Sequence, residues 1–513
     1  MVTRVFIFIL LLSSFALPVT AAELTVLNYH DVVPNPGKDA YAVSRSVFVA
    51  QMDYLAANGY QVIGMEGLVK IVRGEQTMPD KAVMLTFDDG LISYYEFVVP
   101  LLKIYGYPSV AGVVTSWLDG KDQPKEYQGR LMSWSQLREV SKSPLVEVVS
   151  HTHDLHRGIP SNPQGNVAAA SVTRQYLPFF KRYETEPEFQ QRVAIDLKNS
   201  VTRIKQELGY APRGIVWPYG LYDQVLIGEA SKLGMIYHFT LDEGPTLLTS
   251  LPKINRILMF NYTNIKDFVA EITYKNLSKQ HRFVELSLDS FFRVPAQNQE
   301  QLLSELLDRL EALKVNTVLL SPFSKDGSKA FFANDYVPVA DDILNRVLHL
   351  IRTKLPVKHI YLKFPEQLPF PKQKALYADL ARLNWFNGVV FKGRLPDKKV
   401  FYNIVQTTRF YRPMLKVGYI GKAQSKAGFD FIVVPLDVDQ DRAVIRKQVT
   451  KLKGIPQQTF IKLDRLKQTK DETLAGVIQL LKSSGIQNYG YGPDNYLTGL
   501  PQEKLIAKAM AKK

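Results

Sequence analysis

The sequence predicts an α/β protein built as two barrel-like domains in tandem, and three observations carry that prediction. Short apolar runs alternate with stretches of helical periodicity from Leu24 almost to the C-terminus, the pattern of parallel strands joined by crossover helices. The 513 residues exceed one ordinary core and suffice for two. His30, Asp88-Asp89, His151 and Pro218-Tyr219 each fall just past a predicted strand, the face on which α/β barrels place their chemistry. Four such placements, three of them carrying His or Asp, exceed what packing alone explains.

Taken in order, the chain opens on Arg4 and an apolar run, Val5 to Leu12, followed by the small residues Val19-Thr20-Ala21-Ala22. Residues 1–22 therefore read as a secretory signal peptide, with a core short for a membrane span. Strands are expected at Leu24–Tyr29, Tyr60–Ile63, Ala82–Phe87, Ser109–Val114, Leu145–Val149, Gly214–Trp217 and Met235–Thr240. Helices are expected at Ser46–Asn58, Leu91–Tyr105, Trp134–Ser141, Glu188–Leu208 and Asp223–Leu233, three of them stopped by Gly59, Gly106 and Gly209. Arg157–Pro187, rich in Gly, Pro, Asn and aromatics, reads as a long loop, and loops of that length are usually functional or disordered. This first sheet is expected to be barrel-like or doubly wound, over residues 23–273. After a polar connection, 274–282, a second α/β domain is expected over 283–513. Its strands are placed at Phe283–Leu288, Val315–Leu320, His359–Lys363, Gly388–Phe391, Phe429–Val434 and Thr459–Leu463, with an amphipathic helix at Glu300–Leu313.

Composition narrows the function. Hydrophobic residues at 46% and charged residues at 22% describe a globular chain and exclude a disordered one. There is no cysteine, so disulfides and lipoprotein lipidation are excluded, and any metal must be held by His, Asp or Glu. The net charge of +15 lies wholly in residues 281–513, where Lys and Arg number 37 against 22 acids; the rest is balanced, 27 against 27. A solvated lysine-rich surface accounts for this more simply than an anionic partner does. No nucleic-acid motif is present, and nothing after the signal is long and apolar enough to span a bilayer.

Two stretches carry chemistry. Thr86-Phe87-Asp88-Asp89-Gly90 puts adjacent carboxylates at the end of a buried strand, which is costly unless a metal or proton partner compensates them. Ser150-His151-Thr152-His153-Asp154-Leu155-His156 gathers three of the eight histidines into one turn. Structural histidines are usually solitary, so the cluster points to a hydrolytic divalent metal, although spacing alone does not say which rings bind. Trp134 and Trp217 are equally sugar platforms or core residues.

These two motifs and Trp217-Pro218-Tyr219-Gly220, in this order, resemble the polysaccharide deacetylase family, carbohydrate esterase family 4, with its NodB homology domain. Asn28-Tyr29-His30-Asp31, Asn162-Pro163-Gln164-Gly165-Asn166 and Val216–Gly220 resemble its biofilm branch, which de-N-acetylates poly-β-1,6-N-acetyl-D-glucosamine during export. The resemblance implies a distorted (β/α) barrel with Asp89, His151 and His156 as metal ligands. The metal would be zinc first, with nickel, cobalt or iron also fitting. It implies Asp88 as general base, His30 as general acid and Tyr219 in the turn whose backbone N–H holds the oxyanion. His153 is then no ligand, and Arg213, on a loose spacing to Pro218, stands for the arginine that orients the base. The implied partners are a β-linked N-acetylglucosamine polysaccharide and outer-membrane export machinery, and the implied location is periplasmic or secreted. Another acetylated polysaccharide, chitin-like or peptidoglycan, is the alternative substrate; a non-catalytic polysaccharide-binding or export scaffold is the alternative from another class.

The second domain resembles the glycoside-hydrolase-like barrel of that branch, shortened. Leu286–Ser290, Val315–Val318 and Gly490–Asn495 match its strand ends. Asn387–Gly393, however, carries Phe391-Lys392-Gly393 where the family has a His-Asp-Asp motif, and glycoside hydrolysis needs two placed carboxyl groups. No glycosidase activity is expected there.

Overall fold

Strands covered on both faces read as unbroken apolar runs. Ala82–Phe87 is such a strand, buried at all 6 positions in the computed structural model. The structure describes residues 23–511 apart from 261–264, 276–279, 293–294, 296–297, 367–373, 422–427, 453–457 and 467. The expected signal peptide lies outside the described residues, as does part of the expected connection 274–282.

Ala82–Phe87 pairs in parallel with Glu23–Tyr29 on one side and Ser109–Val113 on the other. The parallel sheet continues through Val146–Ser150, Gly214–Val216 and Tyr237–Thr240 to Lys253–Asn255. The chain then crosses over. Ile257–Leu258 pairs in parallel with Leu27 and Asn28 of the first strand, and Thr246–Leu247 pairs antiparallel with that strand's start. The stretch Lys253–Leu258 thus draws the two edges of the sheet together, with Arg256 at the crossover. This is a distorted, nearly closed barrel, one of the two arrangements the alternation allowed and the one the resemblance implied.

Local chemistry fixes the helices around it. Ser44 caps Arg45–Ala57 by accepting from the Val47 N–H, and Phe48, Met52 and Leu55 form its buried stripe. Glu186–Leu208 begins with a reciprocal Thr185–Glu188 capping box and ends at Gly209, left-handed at φ 84°. The expected helix Leu91–Tyr105 contains a π turn over Tyr94–Val98, which sets the Tyr94 ring 5.1 Å from Phe87.

The expected loop Arg157–Pro187 is ordered. It folds into two hairpins, Gly158–Pro160 with Val167–Ala169 and Tyr176–Leu177 with Arg182–Tyr183. Both domains hold it: within the first, Arg192 donates to the Ala170 and Thr173 carbonyls at 2.9 Å, and the second adds further bonds. Asn162 donates to Asn345 at 3.0 Å, Gln164 to the Asp342 carbonyl at 3.1 Å and Tyr183 to the Asp342 carboxylate at 2.7 Å.

The second domain is a closed barrel of eight parallel strands. Lys416–Ile420 and Tyr489–Gly492 complete the six strands expected from the sequence. Phe283, Tyr361, Phe431 and Phe460 fill the interior low down, with Leu319, Val390 and Val433 beside them. Among the described residues no helix is long and apolar enough to cross a membrane.

Candidate functional site

Parallel strands deliver their following residues to one end of the barrel, and the first domain gathers its chemistry there. His30, Asp88, Asp89, His151, His156, Trp117, Tyr127, Trp217, Tyr219 and Arg256 line one cavity of about 730 Å³. Three residues at this mouth hold positive φ without being glycine: Asp89 (74°), Thr152 (74°) and Tyr219 (57°). That backbone region costs non-glycine residues energy, and such strain concentrates at sites that need a side chain aimed. Gly220 has to be glycine, because a Cβ there would stand 2.6 Å from Leu241.

Asp89, His151 and His156 form a group whose ligand atoms all lie within 4.8 Å of one another. His151 Nε2 is 3.5 Å and His156 Nε2 3.7 Å from Asp89 Oδ1. These separations are long for hydrogen bonds. They approach the roughly 3.4 Å between ligand atoms set about 2.1 Å from a shared tetrahedral centre. Asp89 Oδ1 is buried with no hydrogen-bond partner, a costly position that a cation would compensate. The supporting contacts agree. His151 Nδ1 lies 2.9 Å from the Val216 carbonyl, which fixes the tautomer with Nε2 free to ligate. Tyr127 donates to Asp89 Oδ2 at 3.0 Å. Burial, with the neighbouring His151, pushes His156 down to about 4, so it stays neutral as a ligand must. The residues present therefore fit a divalent cation.

Asp88 faces a different partner. The Arg256 guanidinium bonds it at 2.8 and 3.1 Å, and both side chains are buried. Burial alone would raise the Asp88 pKa; Arg256, then His151 and His30, outweigh it and hold the carboxyl below its usual value. Arg256 also bonds Asn28 Oδ1 at 2.8 Å and the Thr240 carbonyl at 3.3 Å, so it ties together the strands that flank the site. His30 packs its ring 5.4 Å from Tyr41, and its Nδ1 is buried without a partner.

One expectation is corrected and one open alternative is decided. Arg213 does not orient the base: it pairs with Glu147 at 3.0 Å and Glu66 at 3.2 Å, and Arg256 occupies that position beside Asp88. Trp134 is no wall of the cavity, since its Nε1 donates to Asp119 at 2.8 Å and Arg203 lies over its ring. Trp217 is fully buried and lines the cavity floor. His153 stays out of the metal group, bonding Thr115 at 2.8 Å through Nδ1. Tyr127 and Arg256 escaped sequence reasoning. The one available signal for Arg256 is a lone cation within the short stretch Ile254-Asn255-Arg256-Ile257-Leu258.

Residues 75–238 match the polysaccharide deacetylase family model, and residues 285–374 match that of hypothetical glycosyl hydrolase family 13. The chain carries a first domain that belongs to the polysaccharide deacetylase family. More particularly, it is similar to the poly-beta-1,6-N-acetyl-D-glucosamine N-deacetylase of Escherichia coli K12, 31% identical over 352 residues, which are 66% of this chain and 52% of that protein. The chain thus spans about half the length of the curated relatives it matches. Two solved structures resemble it: a de-N-acetylase from Aggregatibacter actinomycetemcomitans (33% identity, 48% of this chain and 99% of that one, TM-score 0.44), and the BpsB deacetylase domain from Bordetella bronchiseptica (35%, 46% and 95%, TM-score 0.41).

Proposed function

We propose that the chain is an exported, metal-dependent deacetylase that hydrolyses N-acetyl groups of poly-β-1,6-N-acetyl-D-glucosamine. The observation that carries this reading is the adjacency of two differently partnered carboxylates: Asp89 in the Asp–His–His group and Asp88 against Arg256. Asp89, His151 and His156 would hold a divalent metal, zinc on this donor set, which would supply a Lewis acid for the attacking water and the acetamide carbonyl. Asp88 accepts the proton of the attacking water as its oxygen adds to the carbonyl carbon. The Tyr219 backbone N–H supports the negative charge that develops on the carbonyl oxygen. The C–N bond then breaks, His30 protonates the departing amine, and acetate leaves. Arg256 keeps Asp88 ionised and aimed. The polymer meets the site at the open mouth of the barrel, in the periplasm, and we place the export machinery as its source.

Mass spectrometry of defined β-1,6 and β-1,4 N-acetylglucosamine oligomers incubated with zinc-loaded protein tests this. Each hydrolysis removes one acetyl group and should stop with a chelator; preference for β-1,4 chains would overturn the proposed linkage, and no acetate from either would sink the enzyme reading. The same spectra should show no chain shortening. In the second barrel, burial favours a protonated Glu285, but Lys363 and Lys462 outweigh it and hold the carboxyl ionised, so it has no proton to donate to a glycosidic oxygen.

Arg256→Gln is expected to lower kcat by about 10²-fold with metal content unchanged. Removing the cation raises the Asp88 pKa, so the acidic limb of the kcat/KM profile moves to higher pH. An unmoved limb would show that Arg256 only braces the strands.

A further inference from the structure

A second cavity lies at the junction of the two domains, away from the catalytic mouth. Its volume is about 40 Å³, and on the measure by which one water needs roughly 10–15 Å³ it has room for about three water-sized groups. The first domain supplies an apolar wall that includes Ala169, Val172 and Leu221. The second supplies three arginines, Arg352, Arg382 and Arg412, with His349. The local carboxylates are already engaged. Asp223 pairs with Arg174 at 3.0 Å and caps the Leu226 N–H; Glu186 pairs with Arg174 at 2.6 Å, and Asp379 with Arg382 at 2.5 Å.

Arg352 and Arg412 are left over. Among the described residues neither forms an ion pair. The Arg352 guanidinium stacks 4.6 Å over Trp385, and Arg412 donates to the Asn384 carbonyl at 3.0 and 2.7 Å. Burial pushes Arg352 down. Burial, with Arg174 and Arg352 adding to it against the pull of Asp223, pushes Arg412 down to about 9. Two partly buried cations that repel one another across a small cavity are unfavourable unless an anion joins them. A planar guanidinium is the group best shaped to hold a carboxylate or phosphate.

We propose that this junction cavity is a binding site for one small oxyanion, a carboxylate or a phosphate, held by Arg352 and Arg412. The proposal is independent of the deacetylase reading. An anion here fastens the second barrel to Leu221, next in the chain to Gly220 of the catalytic mouth. Two sources share this chemistry: free phosphate, and acetate released by the reaction proposed above.

The full chain is titrated with sodium phosphate and, separately, sodium acetate, each against sodium chloride of equal ionic strength, by thermal unfolding and calorimetry. At least one oxyanion should raise Tm by about 2–4 °C over chloride and saturate at one site. Arg352→Gln should lose that rise while unfolding like the parent in chloride; Arg352→Lys, which keeps the charge without the fork, should weaken binding about tenfold. A rise with phosphate alone or acetate alone identifies the ligand. No rise over chloride, or one unchanged in both variants, overturns the proposal, the latter by placing the anion elsewhere.

Discussion

Asp88→Asn should slow acetate release by roughly 10³-fold while the protein keeps its full complement of metal. The substitution is nearly isosteric and leaves Asp89, His151 and His156 untouched. The Asn carbonyl oxygen can still accept from Arg256, which bonds Asp88 at 2.8 Å, so the buried arginine keeps a partner and the fold survives. What disappears is a base. An amide side chain does not take up a proton near neutral pH, and the neighbouring carboxylates are placed differently: Asp89 lies in the Asp–His–His group, Asp31 is bonded by Ser93 and Arg130, and Asp39 and Glu126 line the cavity away from Arg256. Because base catalysis acts in the transition state, the loss should fall on kcat with little change in KM. Measuring kcat and KM on a defined oligomer, with metal content by mass spectrometry on the same sample, separates this from a binding defect. A variant turning over at near the parent rate would remove Asp88 from the mechanism.

The part of this site legible in sequence was the part written locally. Parallel strands are apolar throughout, so their ends could be found, and the residues after them needed no knowledge of the fold. Asp88, Asp89, His151 and Tyr219 were reachable in this way. Arg256 was not: it meets Asp88 across 168 positions of chain, at a crossover where the last strand passes from one edge of the sheet to the other. Arg213 stands for the orienting arginine only through the resemblance, on a loose spacing to Pro218. It stands just before the strand Gly214–Val216, however, at the end opposite the mouth, and meets Glu147 on the neighbouring strand. The same limit hid the hairpins of Arg157–Pro187, whose turn-forming composition says loop: the partners that hold them include Arg192 and Asp223 in the first domain and Asp342 and Asn345 in the second. The strand Lys416–Ile420 was missed because a lysine and a glycine break a run that is only 5 residues long.

The largest effect on metal should come from Asp89→Ala and His151→Ala. Changing a residue that bonds a metal ligand typically costs about 10–100-fold in affinity, so loss of a ligand itself should cost more than about 100-fold. Tyr127→Phe, which removes only the hydroxyl 3.0 Å from Asp89 Oδ2, should fall within the smaller range and serves as the internal scale. Stability gained from metal should vanish with the ligand. Burial alone would raise the Asp89 pKa; His151 and His156 outweigh it and hold the carboxyl below its usual value, so the metal-free parent already draws stability from it. The parent should gain further when zinc is added, as any ligand of the folded state provides. Asp89→Ala should begin no more stable than the metal-free parent and gain nothing. Thermal unfolding of parent and variants with chelator and with zinc reads both quantities at once. An Asp89→Ala protein that still gained stability from stoichiometric zinc would place the cation on other residues. Equal losses from Tyr127→Phe and Asp89→Ala would mean that the aspartate only orients the two histidines.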